Sequence, residues 1–119
     1  MGNIETQINI MVSHYINIFV DIECNKVLDR CALDGLVYTE YLYHNKKVDY
    51  HTILFAHNIF NMLYNYYDII FYIEPEFNIV NDGVRSTEAQ FQSDILNIFR
   101  QKKDQYKYKL NIVQITGSV

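Results

Sequence analysis

Charged residues meet the ends of strand-like runs at three places in this 119-residue chain. The first is Asp29-Arg30, directly after Lys26-Val27-Leu28, with Asp34 about one helical turn further on. An arginine there can pair bidentately with a phosphate, and a carboxylate can orient a hydroxyl or a magnesium-bound water. The competing reading is that Asp29 or Asp34 caps the following helix while Arg30 pairs with one of them. The second place is the segment 74–86, where Glu74, Glu76, Asp82 and Arg85 surround Pro75 and Gly83. That is more charge and more backbone freedom than a plain connection needs, and loops of this length are often functional; a solvated surface loop is the plain alternative. The third is Thr116-Gly117-Ser118, whose amides could approach a ligand. Its signal is weak, because chain termini often look like this.

Other side chains offer less. His14, His44, His51 and His57 include no pair at metal-ligand spacing on one helix face, and His57 lies among Leu54, Phe60 and Asn61 as a core or edge histidine. Cys24 and Cys31 fit no zinc spacing and read as ordinary reduced thiols. Tyr64, Tyr66, Tyr67, Phe71 and Tyr72 read as core with phenol oxygens reaching the surface. Met1-Gly2-Asn3-Ile4-Glu5-Thr6 meets only the loose myristoylation pattern and is set aside. The sequence contains no GxxxxGK[ST], the motif that cradles nucleotide phosphates.

The elements that must position these residues follow from periodicity. Ile8, Met11, Val12, Tyr15, Ile18, Phe19 and Ile22 predict an amphipathic helix over 5–23. A short strand is expected at 26–28, a second helix over 33–43 on Leu36, Val37, Tyr41 and Leu42, and a third from Asp49 to about residue 65. The uncharged run Ile69-Ile70-Phe71-Tyr72-Ile73 predicts a strand over 68–73 buried on both faces. Thr87 and Gln90 have capping-box spacing for a fourth helix, with Phe91, Ile95, Ile98 and Phe99 on its buried side. Lys102, Lys103, Lys107 and Lys109 form a basic region before a last strand at 110–115. Strands separated by helices give an α/β layered fold with parallel pairing. Half the residues are hydrophobic, enough for the core of one compact domain. No apolar run reaches the length of a membrane span, and no signal peptide is expected. The net charge of −4 gives no general attraction to nucleic acid.

Three segments in combination carry a resemblance: Lys26-Val27-Leu28-Asp29-Arg30-Cys31-Ala32-Leu33-Asp34-Gly35-Leu36-Val37-Tyr38, then Tyr67-Asp68-Ile69-Ile70-Phe71-Tyr72-Ile73-Glu74-Pro75-Glu76-Phe77, then Asp82-Gly83-Val84-Arg85-Ser86. Together they resemble the AAA-type P-loop ATPases similar to the nicotinamide riboside kinase domain of NadR, small nucleoside-kinase-like proteins common in bacteria and phages. In that family one strand ends in an Asp-Arg-Ser-like motif facing the substrate, and a later strand opens into a lid loop. The final strand leads to a glycine-containing turn near the adenine. The resemblance gives Asp29 and Arg30 the substrate-facing role, Asp82, Gly83 and Arg85 the lid, and Thr116 and Gly117 the nucleotide turn. Cys31 stands where serine is usual, and Asn81 where an acid is common.

The resemblance implies a truncated P-loop kinase-like three-layer fold, a small mostly parallel sheet flanked by helices, with 1–119 as a single partial domain lacking the Walker A segment. Asp29, Arg30 and Arg85 would act in catalysis only if another chain supplied the P-loop, and ATP and magnesium would bind only then. The isolated chain is expected to hold no cofactor and no metal. It is expected to be cytoplasmic and to pair with a second copy or with a partner covering an open sheet edge, without nucleic acid or membrane. The alternative is a small phage interaction protein that binds and modulates a host protein.

Overall fold

The computed structural model describes residues 3–20, 23, 25–73 and 86–115. They form four helices and a small two-stranded parallel sheet, a mixed α/β arrangement in two compact units, 1–67 and 68–119.

The first unit is built from α1 (Ile4–Phe19), α2 (Ala32–His44) and α3 (Tyr50–Leu63), followed by a 3-10 turn, Tyr64–Tyr66. Helix α1 starts where Asn3 accepts from the Thr6 amide at 2.9 Å, and α3 where Asp49 accepts from the Thr52 amide and hydroxyl. The bonds from Thr52 hold the Asp49 carboxyl below its ordinary pKa. Met11 and Ile18 of α1 meet Leu33, Leu36, Val37 and Leu42 of α2 and Ile53, Ala56, Phe60 and Leu63 of α3 in one buried core. A polar tie crosses it. The buried Gln7 Nε2 donates to Thr39 Oγ1 at 2.8 Å, and that hydroxyl donates to the Gly35 carbonyl at 2.7 Å. Gly35 lets α1 and α2 approach closely: a Cβ there would lie 2.5 Å from Met11 Sδ and 3.3 Å from His14 Cδ2.

The second unit is a strand–helix–strand crossover: β1 (Ile70–Tyr72), α4 (Ser86–Gln105) and β2 (Ile112–Gln114). The strands run parallel, with Ile70 opposite Ile112, Phe71 opposite Val113 and Tyr72 opposite Gln114. Ile95, Tyr106 and Leu110 are buried. The Tyr72 ring lies 5.7 Å from that of Phe99, and Lys103 donates to Gln114 Oε1 while its ammonium sits 5.4 Å from the Tyr72 ring. These contacts identify the helix-facing side of the sheet.

Four expectations are corrected here. Residues 26–28 form no strand: Val27 is 96 % exposed, and the Lys26 ammonium donates to the carbonyls of Ile18 and Val20 at the end of α1. A cation satisfying a helix's last carbonyls outcompetes a three-residue ladder here. The strand at 68–73 is shorter than expected and is not buried on both faces: Phe71 is 60 % and Ile73 69 % exposed, while Ile70 and Tyr72 are half-buried. Finally, α4 begins at Ser86, so Thr87 falls inside the helix, and Gln90 Nε2 donates to Asp94 Oδ1 at 2.8 Å. The last strand contracts from 110–115 to three residues.

Candidate functional site

Among the candidate residues the structure describes, Asp29, Arg30, Cys31 and Asp34 lead into or lie in the first turn of α2. Arg30 turns the chain into the helix with a positive φ of 67°, a conformation that costs a non-glycine residue of order 1 kcal/mol. Cys31 then takes the N-cap position in extended conformation. Its amide donates to Asp34 Oδ2 at 2.9 Å, and the next amide, of Ala32, donates to the Tyr67 hydroxyl at 2.8 Å. Asp34 therefore works as the helix cap, with its carboxylate at the positive end of the α2 dipole. Arg30 and Asp29 are exposed beside it, and no ion pair joins Arg30 to Asp34 among the described residues.

The electrostatics of this cluster follow from its packing. Burial pushes the Cys31 thiol up to about 12, and the nearby Asp34 carboxylate adds to that shift. A thiol held this way stays protonated and is a poor nucleophile. Burial likewise raises the Tyr67 phenol above its ordinary value, so its hydroxyl stays neutral and accepts from Ala32. His14 is lowered by burial, partly offset by the Asp34 charge, so the imidazole is neutral near pH 7. The result is a hydrogen-bonded cap whose thiol, phenol and imidazole are uncharged beside the Asp34 carboxylate.

Asp82, Gly83, Arg85, Thr116 and Gly117 lie outside the described residues, as do Glu74, Glu76 and Cys24. Among the described residues, no group of three or more His, Cys, Asp or Glu side chains is arranged to hold a metal ion. No described helix is long and apolar enough to cross a membrane. His57 sits half-buried on α3, as an edge residue of that helix.

Two structural residues escape a reading of the sequence. Tyr67 looks like one more aromatic in a tyrosine-rich stretch, yet it caps a helix that starts 35 residues earlier. No local pattern announces a bond across that separation. Lys26 looks like the first residue of a strand, and its real partners are carbonyls six and eight residues back. Its position just beyond a helical run is a usable signal, since cations collect at helix C-termini. Comparison with known proteins gives no match to this chain from any family model, any curated protein or any solved structure.

Proposed function

We propose that the chain is a portion of a P-loop nucleoside/nucleotide-kinase-like fold that works through association with another polypeptide and does not transfer phosphate by itself. The observation that supports this reading is the parallel β1–α4–β2 unit, whose sheet side away from Tyr72, Gln114 and α4 is mostly apolar among the described residues, with Asn111 as its polar member. Ile69, Phe71 and Ile73 of the first strand region and Val113 and Ile115 of the second are all exposed. A parallel pair joined by a helix is the repeating unit of larger α/β sheets, whose strands are covered on both faces. Uncharged, exposed strands of this kind readily accept a further strand or layer. A second copy of the chain is the occupant in this reading. A chain bearing the P-loop half is the other candidate, and in that complex Arg30 and Arg85 hold the anionic substrate.

Phosphoryl transfer rests on positioning and charge stabilisation by P-loop amides, its lysine and magnesium, and these 119 residues contain no such motif. The purified protein, incubated with ATP, magnesium and nucleosides including nicotinamide riboside, is expected to show no turnover. Activity that survives re-purification and disappears in Asp29→Asn or Arg85→Ala overturns that part. Light scattering over a wide concentration range tests the association: a dimer is expected, converted to monomer by Phe71→Glu. A monodisperse monomer at high concentration, with slow amide exchange through 70–72 and 112–114, overturns it.

A further inference from the structure

We propose that the turn following α4 is a contact surface for single-stranded nucleic acid, with Tyr108 as the ring on which a base stacks and Lys107 and Lys109 as phosphate contacts. The whole-chain charge of −4 hides an uneven distribution: five of the ten Lys and Arg residues lie within 100–109, together with a single acid, Asp104. Local excess of this kind, rather than the mean, sets the potential felt by a polyanion within a Debye length.

The structure separates the basic residues by task. Lys102 is buried, with its ammonium 3.3 Å from Gln105 Oε1, and Lys103 is committed to Gln114 and to the face of Tyr72. Both serve the packing of this unit. Lys107 and Lys109 are exposed on the turn, and Arg100 is exposed earlier on α4. Lys107 meets Asp104 at 3.4 Å in an exposed pair, the weak kind that yields to a competing phosphate.

Tyr108 supplies the second, independent observation. Its neighbour two residues earlier, Tyr106, is buried in the unit, whereas Tyr108 is 91 % exposed. The Lys107 ammonium lies 5.2 Å from its ring centroid. A nearly bare aromatic ring between two lysines contributes nothing to the core. Aromatic rings set among cations are the standard platform for unpaired bases, since every base has a π-face. A carboxylate-rich peptide would be met by the lysines alone and would gain little from the ring. A duplex keeps its base faces stacked inside, so the chemistry selects a single strand.

Fluorescence anisotropy of the full chain with a short labelled oligothymidylate at low salt tests this, alongside an abasic strand with the same number of phosphates. Tyr108→Ala is expected to weaken oligothymidylate binding about tenfold and leave the abasic strand unaffected, the scale of one lost base stack. Tyr108→Phe should retain binding. Lys107→Ala should weaken both ligands and reduce the salt slope by about 0.7, the share of one phosphate on a single strand. With the ring so exposed, these variants leave the fold intact. The proposal fails if oligothymidylate does not bind, if Tyr108→Ala binds both strands like the wild type, or if polyglutamate displaces the oligonucleotide as well as unlabelled oligothymidylate does.

Discussion

Replacing Tyr67 by phenylalanine removes one oxygen and tests how α2 is anchored. That oxygen accepts from the Ala32 amide at 2.8 Å, and Ala32 is fully buried, so water cannot take over the bond. A buried donor left unpaired costs about 1–3 kcal/mol, and loss of a helix N-cap about 0.5–2 kcal/mol. The two scales overlap near 1.5 kcal/mol. The phenyl ring keeps its packing, so no cavity contribution is added. Urea titration followed by circular dichroism should show this loss with little change in slope, and amide exchange at Ala32 should quicken about tenfold. Tyr66→Phe, on an exposed side chain, is the control and should change nothing. A Tyr67→Phe loss below about 0.5 kcal/mol, with Ala32 exchange unchanged, would refute the reasoning, because such a bond must matter when its donor is dry.

Gly35→Ala gains about 1 kcal/mol of helix propensity but drives a Cβ to 2.5 Å from Met11 Sδ. Overpacking of about 1–3 kcal/mol should win, so thermal unfolding should show a net destabilisation, with Gly35→Val worse than Gly35→Ala. His14 is held below its ordinary 6.5 in the folded protein, so the unfolded chain binds the proton more readily. Stability should therefore be full above pH 6.5 and fall as the pH drops through that value toward the folded pKa. Urea titrations at pH 7.5 and pH 5 check this, and His14→Gln should flatten the difference.

The helices were legible because their signals are local. Met11, Leu36, Ile53, Phe60 and Ile95 sit where a 3.6-residue period places them, and Asp49 caps α3 as expected. The segment 26–28 misled because Lys-Val-Leu is too short for any period, and its fate was decided by α1's unpaired carbonyls. The run 69–73 shows that apolar composition marks a strand without saying how many of its faces are covered. Asp34 illustrates the ambiguity at the candidate site: a carboxylate three residues past a turn is a ligand in one context and a cap in another. Only the distance to the Cys31 amide decides. The separation of Lys102 and Lys103 from Lys107 and Lys109 was likewise invisible, since all four look alike in sequence.

The parallel register also sets an order in time. Ile70 and Ile112 are 42 residues apart, with α4 between them, whereas α1, α2 and α3 pack as near neighbours along the chain. Loop closure over that span is slow compared with docking adjacent helices. On a ribosome the helical unit can assemble once residue 67 has emerged, but β1 waits for β2 until residue 114 is made. Throughout that interval Ile69-Ile70-Phe71-Tyr72-Ile73 is an unpaired strand with no charge, proline or glycine to block foreign pairing. Nascent chains on one message carry the same exposed strand at the same stage. Yield of folded protein should thus depend on synthesis rate and chaperone supply more than on the stability of the finished molecule.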